Sequence, residues 1–291
     1  MGHGNTEDQF FGRGSLLCGA SQRESAGCQV SILLTPFEYG TLCHGNTWVV
    51  ADEDKLADQI AKVALGQAWH VQRILAGAKL GPPANVQAAG KSAAALLTVT
   101  GNDPWHRDGW MFQVMSWIAA HTASPGGVIR PPHMIHAHKG FDGLQLEVDA
   151  KTGEVRAAII FEDKATENPR TTIREEVWPD FVQLETGDRE NVLTSEVASL
   201  LQTVPHVDAH LAIQNVIWKQ ARHYRVSITV GDTHATDAGR KRLFHDYDTV
   251  AGGVVTRRRG ETLHVQDLRQ WMAALATKAI HAVQVNLSSH V

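Results

Sequence analysis

The segment Val155-Arg156-Ala157-Ala158-Ile159-Ile160-Phe161 is apolar except for Arg156, and Glu162-Asp163-Lys164 follows it at once. A run this poor in polar residues does not alternate. It reads as a β-strand buried on both faces, and such strands lie inside sheets covered by helices on either side. The expected fold class is therefore α/β, with a central mixed β-sheet flanked by helices. The charges that end the run are the second constraint. On an extended strand Glu162 and Lys164, two apart, leave the same face beside each other. An acid two residues before a lysine also occurs at Glu53-Asp54-Lys55, in a polar run resembling a helix start, and at Asp149-Ala150-Lys151, which runs into the turn sequence Thr152-Gly153. Only Glu162 closes a strand-like apolar run. Ordinary surface pairing would explain such charges, and metal binding would explain them as well.

Twenty residues upstream, Asp142 stands in Gly140-Phe141-Asp142-Gly143-Leu144. Ile135 to Val148 reads as a strand, Thr152-Gly153 as a turn and Val155 to Ala165 as the antiparallel partner. Before this pair, Asp103-Pro104 opens a helix whose inner stripe is Trp110, Val114, Trp117, Ile118 and His121, and Ser124-Pro125-Gly126-Gly127 closes it. After it, Thr172 and Glu175 have capping-box spacing, and Pro179 interrupts or restarts the helix. Further helices follow Thr194 and span His210 to Trp218. Arg222 to Val230 alternates as a half-buried strand, and Val265 to Val285 is a terminal helix. Toward the N-terminus, about thirty aperiodic residues precede strands at Cys28 to Thr35 and Thr47 to Ala51. A helix over Asp52 to Ala76 follows, ended by Gly81-Pro82-Pro83. The expected boundary near Gly101-Asn102 divides an N-terminal α+β extension, residues 1–102, suited to docking a partner, from a core at residues 103–291.

The 291 residues are 43% hydrophobic and 20% charged, which is ordinary for a folded protein and argues against wholesale disorder. Apolar runs fall short of a membrane span, and the first fifteen residues carry no secretory h-region, so a cytoplasmic location is expected. Cys18, Cys28 and Cys43 have neither disulfide-framework nor zinc-ribbon spacing. With a net charge of -4, attraction to nucleic acid has to be local. Arg240-Lys241-Arg242 and Arg257-Arg258-Arg259 concentrate six cations in twenty residues and suggest a phosphate-facing surface. Phosphate-loop, nucleophile-elbow and dinucleotide-binding glycine patterns are missing from the sequence.

A helix, a strand pair carrying Asp-Gly and then Glu-x-Lys, and a following helix resemble the PD-(D/E)xK nuclease superfamily over about Asp103 to Val230. Asp142 matches the first acid, Glu162 the second and Lys164 the lysine, while Phe141 stands where the family name has proline. The resemblance implies a restriction-endonuclease-like core and a Mg²⁺-dependent endonuclease acting on DNA, with Mn²⁺ as a substitute. It also implies an effector of bacterial anti-phage defence or restriction, partnered by a helicase or sensor subunit and able to form homo-oligomers. Independently of the family, two carboxylates holding a hard dication beside a lysine suit phosphodiester hydrolysis. Gln113 on the preceding helix and His136 and His138 before Asp142 are auxiliary candidates. Two other readings stand beside this one. One is a catalytically inactive subunit that keeps the fold to bind nucleic acid or assemble; the other is a metal hydrolase built on His133, His136 and His138.

Overall fold

The computed structural model describes residues 30–75, 90–136, 140–149, 151–152, 154–204 and 221–288. The Gly81-Pro82-Pro83 break, Cys18, Cys28, His138 and the helix expected over His210 to Trp218 lie outside the described residues. The strands are β1 (Ile32–Glu38), β2 (His44–Val50), β3 (Val128–Ile129), β4 (Gly143–Val148), β5 (Val155–Lys164), β6 (Arg222–Val230) and β7 (Arg258–His264). They form one seven-stranded sheet in the order β1-β2-β7-β6-β5-β4-β3. β2, β7, β6 and β5 run parallel, and antiparallel pairs β1–β2, β4–β5 and β3–β4 complete the edges. The chain is thus α/β, with a mixed sheet between helices.

On one face lie α1 (Glu53–Ala64), α2 (Ala68–Leu75), α3 (Gly90–Leu97), α4 (Trp105–Ala123) and the long C-terminal helix, numbered α10 below (Leu268–Ser288). Leu56, Ile60, Met111, Phe112, Val114, Met272 and Leu275 pack there on Trp48, Ile159 and Phe161 of the sheet. On the other face, α5 (Pro169–Thr172) passes through a π turn (Ile173–Val177) into α6 (Trp178–Thr186), and α7 (Glu190–Leu201) follows. With α8 (Asp237–Leu243) and α9 (Tyr247–Val250) these helices enclose Ile160, Tyr224, Val226, Phe181, Phe244 and Tyr247. Because both faces are covered, β5 is buried from Ala157 through Asp163, as its apolar run requires.

Several elements differ from expectation for local reasons. The helix expected over Asp52 to Ala76 is two helices, because Gly66 turns the chain at φ +78 between them. The N-cap of α4 is Pro104 rather than Asp103, so the proline sits one place before the first helical residue, and Asp103 accepts the Trp105 N–H at 2.9 Å from one residue further out. Thr172 lies inside its helix, which Pro169 opens, and forms no capping box. The widened π turn directly before α6 precedes Pro179, which has no N–H to give to a regular turn. The strand expected from Ile135 begins only at Gly143, because at Asp142 a side-chain oxygen takes the Asp163 N–H in place of a ladder bond. β6 is not half-buried: Arg225 and Ser227, against Ser116 of α4, and Thr229, against Thr166, are as buried as Tyr224 and Val226 on the other face.

The expected boundary near Gly101-Asn102 separates elements that share one sheet and one core. β2 pairs with β7 from His44↔Arg259 to Trp48↔Leu263, and α1 packs against α10. Gly45 sits so close to β7 that an added Cβ would meet the Gly260 carbonyl oxygen at 1.6 Å. Gly45→Ala is therefore expected to lower stability by about 3 kcal/mol, the upper range for overpacking, in urea unfolding of the whole chain. An unchanged midpoint would show that the hairpin β1–β2 is not coupled to the rest of the sheet.

Candidate active site

Register brings the three motif residues together. Gly143 pairs with Phe161, so Asp142, one residue earlier, reaches the end of β5 where Glu162 to Lys164 emerge. Glu162 and Lys164 leave the face that α5 and α6 cover, and Asp163 leaves the face under α4. Lys164 Nζ lies 3.5 Å from Glu162 Oε2 and 3.7 Å from Glu176 Oε2. Asp142 Oδ1 accepts from Gln113 Nε2 at 2.6 Å, and its Oδ2 accepts from the Asp163 N–H at 2.8 Å. Gln113 thus joins the site as the contribution of α4. Asp108, one turn earlier, instead holds Arg107 at 2.6 Å and Arg269 at 2.6 Å.

Charge is crowded here. Burial pushes the Asp142 carboxyl up, against the pull of Lys164, the Asp163 N–H, Gln113 and Arg130. Burial pushes Glu162, 4% exposed, well above the usual carboxylate range, and the Asp142 charge adds to this while Lys164 opposes it. Asp163 is raised to about 7, again by burial first, against Arg225 and the Ser116 hydroxyl. Burial alone would make Lys164 release its proton. Glu162, Asp142, Glu176 and Asp180 outweigh burial and hold the ammonium above its ordinary value.

Asp142 and Lys164 line a cleft of about 580 Å³ between α4 and α5, whose walls include Trp105, His106, Gln113, His136, Glu167, Glu176 and Arg269. No family model, curated protein or solved structure matches the chain. What the site can do therefore rests on its own chemistry. Its donors are carboxylate oxygens, which suit hard cations such as Mg²⁺ or Mn²⁺. Two enclosed acids beside one lysine leave excess negative charge that a dication would offset. Among the described residues no group of three or more His, Cys, Asp or Glu side chains converges as a metal centre.

Of the other residues singled out in the sequence, His136 lines the same cleft, while Cys43 and the basic clusters lie elsewhere. His136 is not on the Asp142 strand face: it belongs to the irregular segment before β4, bonds the Leu96 carbonyl at 3.1 Å and stacks on His106. The His133 carbonyl accepts from Trp110 Nε1. The Cys43 thiol is buried and pushed up to about 12, so it is no nucleophile.

The two basic clusters do not form one phosphate-facing surface. Arg257 is buried against Glu185 and the carbonyls of Arg222 and Gly252. Arg258, 2% exposed, donates to the carbonyls of Thr41, Leu42, Ala251 and Gly253, tying the β1–β2 turn to the approach to β7. Arg259 leaves the opposite face, 3.7 Å from Glu147. On α8, Arg240 is engaged by Tyr39 and Asp237, Lys241 lies 5.3 Å from the Tyr39 ring, and Arg242 bonds the Thr233 carbonyl. The run of arginines concealed a strand; nothing in its hydrophobic pattern marks β7. Arg130, which donates to the Phe141 carbonyl, and Arg269 were also missed, since each is an isolated cation in sequence.

A titration follows from the raised Glu162. The folded protein retains a proton there that the unfolded chain releases near its ordinary value, so this group withdraws stability as pH rises from the unfolded value through the raised folded one. In the presence of a chelator, Glu162→Gln is expected to gain stability relative to wild type from pH 5 to pH 8, read by thermal unfolding. Parallel curves for the two proteins would show that Glu162 is not held protonated by the fold.

Proposed function

We propose that the chain is a divalent-metal-dependent nuclease acting on DNA, with a restriction-endonuclease-like core formed by α4, β3 to β5, the α5–α7 helices and β6. The observation that carries this reading is the convergence of Asp142, just before β4, with Glu162 and Lys164 at the end of β5, at one end of the sheet beside an open cleft. Asp142 and Glu162 are the metal ligands in this reading. Bound there, Mg²⁺ or Mn²⁺ supplies charge stabilisation at the scissile phosphate and a more nucleophilic water. Gln113 and the Asp163 N–H fix the Asp142 carboxylate, so that its orientation is set before substrate arrives. Lys164, kept protonated by its acidic neighbours, orients the attacking water or neutralises the anionic transition state.

The role as an effector of anti-phage defence or restriction, with a helicase or sensor partner, belongs to the same reading by family analogy. A non-catalytic subunit on the same fold is the competing reading, favoured by one observation: both Asp142 oxygens already accept hydrogen bonds.

Cleavage of supercoiled plasmid, linear duplex and single-stranded DNA separates the two readings. Cutting is expected with Mg²⁺ or Mn²⁺ but not with EDTA, and a loss of at least about 100-fold is expected in Asp142→Ala, Glu162→Ala and Lys164→Ala. Metal-dependent cutting that survives all three substitutions would remove this site from the reaction.

A further inference from the structure

The cleft has two walls that the metal chemistry does not use. Trp105, the first residue of α4, is 64% exposed, and Ile135, which lines the same cleft, is 59% exposed. Among the described residues, Trp105 is the single aromatic among the large hydrophobic side chains left so open to water, and it lines the same cleft as Asp142 and Lys164. Beside it the rings of His106 and His136 stack with centroids 6.2 Å apart, and His136 is anchored to α3 through the Leu96 carbonyl. The second wall is Arg269. Its Nη1 donates at 2.6 Å to Asp108 Oδ2, while Asp108 Oδ1 is already held by Arg107 at 2.8 and 2.6 Å. Two guanidinium groups thus share one fully buried carboxylate, and the outer one faces the cleft.

We propose that this cleft takes an unpaired nucleic-acid strand, with a base stacked on Trp105 and a neighbouring phosphate on Arg269. Placing the scissile phosphate at Asp142, Glu162 and Lys164 rests on the nuclease reading; the binding mode does not. A volume of about 580 Å³ is of the size that receives one nucleotide unit, and a base inside a duplex has no free ring face to lay on Trp105. Charge leads to the same substrate. Asp142, Asp163, Glu167 and Glu176 line the cleft against two cations, Lys164 and Arg269, so phosphate attraction alone is weak there. Stacking is indifferent to that acidity, and every base has a ring face to offer. Arg269, held in place by Asp108, loses little freedom on engaging a phosphate.

The full chain with Ca²⁺ is titrated against a labelled oligothymidine, the same sequence as RNA, and a duplex of equal length, read by fluorescence anisotropy. The single strands are expected to bind more tightly than the duplex. Trp105→Ala is expected to weaken single-strand binding by about 5- to 150-fold, the range that stacking on an aromatic ring supplies, and Trp105→Phe to retain most of it. Equal affinity for the duplex, an unaffected Trp105→Ala variant, or no binding of any strand would overturn the proposal. Trp105-dependent binding without metal-dependent cutting would sink the nuclease reading and leave this one standing. Cutting of duplex and single strand alike, indifferent to Trp105, would do the reverse.

Discussion

Burying acid side chains at the end of β5 is the constraint on which the rest of the structure turns. Moving a carboxylate out of water is strongly unfavourable unless it is paired, hydrogen-bonded or neutralised. Glu162 and Asp163 project to opposite faces of one strand, so each face has to supply its own compensation. Under α6 it is Lys164, with Glu176 and Asp180 keeping that lysine charged. Under α4 it is a polar network: Asp163 accepts from Ser116, which contacts Ser227 and receives Arg225 at 2.9 Å. Burial outweighs this compensation at all three acids and pushes each carboxyl above its ordinary range.

Arg225 extends the network across the sheet. It is 1% exposed, lies 4.4 Å over the Phe161 ring and 3.7 Å from Glu261, and Glu261 in turn receives Trp48 Nε1 and Asn46. Breaking one member of a buried pair of this kind costs about 3–5 kcal/mol, because the remaining charge stays enclosed. The parallel strands β5, β6, β7 and β2 are therefore joined by charge as well as by their ladders. Arg258 does the same on the other face with four backbone carbonyls. These cations are spent inside the fold, which is why an arginine-rich stretch in an acidic chain does not face outward.

How much of this was legible follows from the same distinction. The β4–β5 pair, α4, α7, β6 and the terminal helix could be read because apolar periodicity drives them, and the Glu-x-Lys end of β5 stood out because charge interrupts a buried run. β7 was invisible. Arg258-Arg259-Gly260-Glu261 carries no apolar signal, since its side chains are buried by pairing with residues more than thirty positions away or with main-chain carbonyls. Trp105 was hidden for a related reason: helical spacing distinguishes a core face, but it does not reveal that one tryptophan at a helix start stays outside it.

Asp163 is where these layers meet, although its side chain leaves the opposite face of β5 from Glu162 and Lys164. Its backbone N–H fixes Asp142, while its carboxylate is fixed by Ser116 and, through Ser116, by Arg225 and Glu261 to the hairpin strand β2. A shift of β2 relative to β7 would move Glu261, then Arg225 and Ser116, and would reach Asp142 through a single peptide group. The N-terminal hairpin is in this sense part of the frame that orients the first acid. Its strands sit at the far side of the sheet from Asp142, and buried charge is the connection that spans the distance.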